Sequence, residues 1–157
     1  MKKLIVTVLL LSLLLCGCGG EAADASQAAP VDVQTLYTAL EAFGMPEMLE
    51  LDGTMQLNLY GIRSEDVKQT KVAVASDGLR ADEIWLIEAV DEAAAETIKG
   101  LAEGRVRQKD AESITYSPEQ NVIVKKSHIA REGNWVIFIC SPEVDKMVTS
   151  VQAGLGQ

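Results

Sequence analysis

Cys140 and His128 are the side chains of this 157-residue chain best suited to covalent or acid–base chemistry. Cys140 closes the apolar run Trp135–Ile139 and precedes Ser141-Pro142-Glu143, a helix-start signal of cap, proline and acid. A helix N-terminus or a nearby cation would favour a reactive thiolate. Burial at the end of an apolar strand favours an inert structural thiol, and the sequence is read that way. His128, the sole histidine, falls on a strand or its turn among Lys125, Lys126 and Arg131. Those cations would lower its pKa if it acted as a general base; a surface strand histidine is the simpler expectation. Asp77, Asp82 and Glu83 surround a turn and could offer oxygens to a hard divalent cation, although their spacing is not that of a calcium loop. No catalytic residue, metal ligand or cofactor is assigned.

Charge is distributed unevenly. The chain carries a formal −9, yet Lys99 to Arg131 holds seven Lys or Arg against four Asp or Glu. Arg105, Arg107 and Lys109 come late in a helix, where cations favour its dipole. Lys125, Lys126 and Arg131 flank the next strand. The six could form one basic face for an anion or a partner; alternatively they neutralise neighbouring acids. Met45, Met48 and Met55 could present an adaptable apolar surface or fill gaps between helices and sheet. Gly100 and Gly104 have GxxxG spacing, which carries no signal outside a membrane helix. Phosphate loops, CxxC, HExxH, GxSxG and dinucleotide fingerprints are absent.

Cys18 is the remaining chemical residue, and its setting is the clearest in the chain. Lys2 and Lys3 precede an apolar run from Leu4 to Leu15. Twelve helical residues rise roughly 18 Å, short of a bilayer core of about 30 Å. A positive start, a short apolar core and a small-residue exit describe a secretory signal. Leu15-Cys16-Gly17-Cys18 looks like a lipobox, with cleavage before Cys18 and lipid on its thiol. Residues 1–17 are then the signal, 18–30 a lipidated cysteine with a Gly/Ala/Ser-rich tether, and 31–153 a single domain. Loss of Lys2 and Lys3 takes the charge from −9 to −11. An acidic domain of that kind is not expected to bind nucleic acid or anionic lipid heads; the lipid anchors it. With Cys16 removed and Cys18 acylated, Cys140 has no disulfide partner, so the core must hold the domain together.

The elements that would position these residues follow from periodicity. Asp32 caps a helix whose Val33, Leu36, Tyr37 and Leu40 share one face. A second helix runs from about Thr54 to Tyr60 and stops at Gly61; Ser64-Glu65-Asp66 makes a turn. A weak repeat offset by 50 residues aligns Val72 and Val74 with Val122 and Val124, Trp85 with Trp135, and Asp91 with Ser141 as helix caps. Each copy reads strand, turn, strand, helix. Ile84–Val90 and Trp135–Cys140 are apolar almost throughout, as strands covered on both faces are. These features predict an α+β domain with a four-stranded, mainly antiparallel sheet from two ββα units, preceded by two N-terminal helices. The repeat helices are expected on one face, and Trp85 and Trp135 are both expected to be buried.

The runs Leu36-Tyr37, Met45-Pro46-Glu47-Met48, Leu59-Tyr60-Gly61-Ile62 and Ala81-Asp82-Glu83-Ile84, followed by Ser117-Pro118-Glu119-Gln120 and Gly133-Asn134-Trp135-Val136-Ile137-Phe138, occur in an informative order. In that order they resemble a family of small lipoproteins from Gram-positive, largely anaerobic bacteria, catalogued as domain of unknown function 4358. The resemblance covers about residues 31–153. It implies location and architecture, and brings no activity and no catalytic residues.

The sequence therefore reads as a lipoprotein on the outer face of the cell membrane, with a non-catalytic binding or accessory domain facing a protein or cell-envelope partner. The alternatives are a small thiol or hydrolase-type enzyme using Cys140 or His128, and a divalent-cation-binding lipoprotein.

Overall fold

A computed structural model describes residues 30–156. Helix α1 (Val33–Glu41) begins where Asp32 accepts from the Thr35 amide at 2.8 Å. Helix α2 (Gly53–Tyr60) is capped the same way by Asp52 and ends at Gly61, whose φ of +78° suits a left-handed C-cap. Strands β1 (Met48–Glu50), β2 (Val67–Ala75), β3 (Glu83–Ala89), β4 (His128–Glu132) and β5 (Trp135–Cys140) form one sheet in the order β1-β2-β3-β5-β4. All four pairings are antiparallel. Helices α3 (Glu92–Tyr116), α4 (Pro118–Lys125) and α5 (Val144–Gly154) complete the chain.

The sheet is the middle of three layers. β3 and β5 lie inside it and are covered on both faces, which explains their unbroken apolar sequence. On one face Trp85, Ile87, Phe138 and Cys140 pack against Ala95, Ile98 and Ala102 of α3 and Val124 of α4. On the other, Ile84, Leu86, Ile137 and Ile139 pack against Leu36 and Leu40 of α1 and Met147 and Val151 of α5.

Several expectations need correction. The sheet has five strands, not four: β1 is only three residues long and too short to show alternation. Helices are spread along the chain, with β1 between the first two. Val122 and Val124 belong to α4 rather than to a strand, because Ser117-Pro118-Glu119 places proline and acid in a first helical turn. The similar Ser141-Pro142-Glu143 instead makes a turn, and α5 starts at Val144. Finally, α3 and α5 cover opposite faces. Trp85 stands opposite Phe138 in the register, and Trp135, three residues from Phe138, points the other way. Trp135 is consequently only half-buried, on the face covered by α1 and α5, whereas Trp85 is fully enclosed.

Candidate functional site

Glu83 opens β3 two residues before Trp85, so both side chains point toward α3. It is wholly buried. A bare carboxylate there would be costly, and three donors compensate it. Trp85 Nε1 donates to Oε1 at 2.9 Å, Arg105 Nε to Oε2 at 3.0 Å, and Lys109 Nζ to Oε2 at 2.8 Å. Arg105 and Lys109 reach one carboxylate because four residues on a helix return to the same face. Tyr60, the last residue of α2, stacks on Trp85 with ring centroids 4.7 Å apart and lies under the Arg105 guanidinium at 5.3 Å. Burial, reinforced by the charge of Glu83, pushes the Tyr60 hydroxyl well above its ordinary pKa.

Two clefts open beside this cluster and share Gly78, Arg80, Arg105 and Lys109 in their walls. The larger, about 540 Å³, is mostly apolar and is walled by Leu49, Met55, Leu59, Tyr60 and Val74. The smaller, about 460 Å³, has Leu79 and Tyr116 at its edge. Arg80 pairs with Asp82 at 3.0 Å. Ser113 lines the smaller cleft, but its hydroxyl donates to the Lys109 carbonyl at 2.6 Å, not to a base.

Of the six cations singled out in the sequence, only Arg105 and Lys109 converge. Arg131 pairs with Glu96 at 3.2 Å and Glu92 at 3.6 Å, near the start of α3. Arg107 is exposed on α3, and Lys125 and Lys126 are exposed at the end of α4. Cys140 faces Glu83 across the β3–β5 pair and is fully buried. Burial pushes its thiol up to about 11, outweighing the opposing pull of Lys109 and of Ser127. His128 pairs with Ile139, on the α5 face, so the sheet separates it from Cys140. Its Nε2 is buried without a hydrogen-bond partner among the described residues. Asp77 accepts from the Leu79 amide at 2.9 Å, a turn role. Among the described residues no three His, Cys, Asp or Glu side chains are grouped to hold a metal ion. Met45 and Met48 line a hollow beside Tyr37 and Lys71, and Met55 stands at the larger cleft. Cys18, the expected signal of residues 1–17 and the expected tether up to residue 29 lie outside the described residues.

Sequence reasoning missed Glu83 as the hub, and with it Tyr60 and Arg80. An acid two residues before a tryptophan in an otherwise apolar strand was the available signal, since a buried carboxylate requires partners.

Fold and site define a three-layer α+β domain with a buried ion cluster beneath an open cleft. The chain belongs to the family described as domain of unknown function DUF4358, whose model matches residues 42–141. That stretch includes Tyr60, Glu83, Trp85, Arg105, Lys109 and Cys140. No curated protein and no solved structure matches the chain. No helix among the described residues is long and apolar enough to cross a membrane.

Proposed function

We propose that this protein is an extracytoplasmic lipoprotein, lipidated at Cys18 and held on the outer face of the cell membrane, whose domain binds an envelope partner without catalysis. The observation that carries the non-catalytic part is the composition of the cleft walls. Besides cations, aromatics and aliphatic side chains they hold Asp82, paired with Arg80, Glu112, held by the Gln108 amide, and Ser113, whose hydroxyl donates to a carbonyl, while Cys140 is enclosed in the core and His128 lies across the sheet. Attack by a thiol needs an accessible thiolate and a base within reach. Burial removes the first condition and the intervening sheet the second. The anchor rests on Lys2, Lys3, the short apolar run and Leu15-Cys16-Gly17-Cys18.

The test is metabolic labelling of cells with palmitate. Wild-type protein incorporates the label and Cys18→Ala does not. Equal label on Cys18→Ala, with loss on Cys16→Ala, would move the anchor; no label on any form would remove it.

A further inference from the structure

We propose that the cleft beside α3 takes a ligand with a single carboxylate on an apolar body, the carboxylate meeting Arg105 and Lys109 and the body lying against Leu49, Met55 and Leu59. The inference rests on the reading of this domain as a binding module and specifies what it binds.

Charge balance supplies the first argument. Arg105 and Lys109 bring two positive charges to one buried carboxylate, and neither has a second acidic partner within 4.0 Å among the described residues. Arg80 and Asp82 neutralise each other. Glu112 also lines the smaller cleft, but it is exposed and held by the Gln108 amide at 2.9 Å, where water screens it. The enclosed cluster therefore has an excess of one cation, which a monoanion matches.

Donor capacity is the second argument. Arg105 reaches Glu83 through Nε, and Lys109 through one of its three ammonium hydrogens. The buried side-chain nitrogens and oxygens left without partners among the described residues are His128 Nε2 and Glu132 Oε2. The Arg105 Nη donors, which have no partner among the described residues, are thus not sealed in the core, and Lys109, though itself buried, borders both clefts beside Arg105. A guanidinium fork fits the plane of a carboxylate.

The wall of the larger cleft is apolar and open to solvent. Leu49, Met55 and Leu59 are 50%, 42% and 60% exposed around the larger cleft. That cleft, at about 540 Å³, is within the usual size of small-ligand sites. Apolar surface beside spare cationic donors fits a ligand that is anionic at one end and apolar at the other. A medium-chain fatty acid and the C-terminal residue of an apolar peptide share this chemistry.

The experiment uses the lipidated protein carrying Trp135→Phe in otherwise protein-free phospholipid vesicles, so that the remaining tryptophan fluorescence comes from Trp85 beside Glu83. Octanoate and N-acetyl-leucyl-leucine are titrated against octanol, acetate and the dipeptide amide. At least one carboxylate ligand should saturate at a concentration tenfold or more below its uncharged counterpart and below acetate; which one does so identifies the source. Lys109→Gln should weaken that binding at least tenfold. Should Lys109→Gln fail to fold, Leu59→Glu decides, because it changes only an exposed wall residue and should weaken binding by a similar factor. Equal binding of octanol or the amide would overturn the role of the cations, and equal binding of acetate the role of the wall. Silence from every carboxylate would overturn the proposal, while the palmitate label on Cys18 would stand or fall separately.

Discussion

Glu83 and Cys140 stand opposite each other where β3 pairs with β5, so a carboxylate and a thiol share one buried end of the sheet. The carboxylate has three donors; the thiol relies on burial and is kept protonated.

That difference gives a pH prediction. The Cys140 thiol titrates near 11 in the fold, against 9.0 ordinarily. The folded state holds its proton more tightly, so this contribution to stability is complete below pH 9 and is lost as pH rises through 11. The loss is about 2–3 kcal/mol. Tyr60 acts in the same direction at higher pH, its hydroxyl raised by burial and by Glu83. Urea melts at pH 8 to 11 should therefore show falling stability, with a shallower fall in Cys140→Ala. Iodoacetamide at pH 7 should modify the native protein far more slowly than the unfolded chain.

The two tryptophans should differ. Trp85 is fully enclosed, stacks on Tyr60 and meets Phe138 edge-on at 5.4 Å. Trp85→Ala should cost about 3–5 kcal/mol, as truncation of a buried aromatic does. Trp135 is half-buried at the start of β5, and its replacement should cost about 1–2 kcal/mol, in proportion to the smaller area withdrawn from water. Chemical denaturation of both variants measures the difference.

Gly61 sets the end of α2 and hence the position of Tyr60. Its φ of +78° suits glycine, and its amide donates to the Gln56 and Leu57 carbonyls. A β-carbon would meet only Leu101 Cδ2 at 3.7 Å, so the penalty is conformational. Gly61→Ala should cost about 1–2 kcal/mol, and Gly61→Asn less, as followed by thermal unfolding.

Much of the architecture was legible where local chemistry dominates. Asp32 and Asp91 cap their helices, Gly61 stops α2, and the apolar runs of β3 and β5 announced central strands. The offset alignment failed because it compared residue classes without the sheet register. Trp85 and Trp135 match in sequence, yet pleating sends them to opposite faces. Val122 looked like a strand residue because a short apolar stretch does not distinguish strand from helix; the proline four residues earlier, at Pro118, did. Of the site, Arg105 and Lys109 stood out by type. Their shared target did not, because Glu83 lies 22 and 26 residues away and meets them only once α3 folds back over the sheet.

Treatment of intact protoplasts with a membrane-impermeant amine reagent tests the central claim, an outward-facing tethered domain, most directly. Lys125 and Lys126 are exposed on the folded domain and serve as the reporters. Peptides containing them should be modified in intact protoplasts as fully as after lysis, and the protein should sediment with the membrane unless Cys18 is replaced by Ala. Modification only after lysis would place the domain inside the cell and contradict the account.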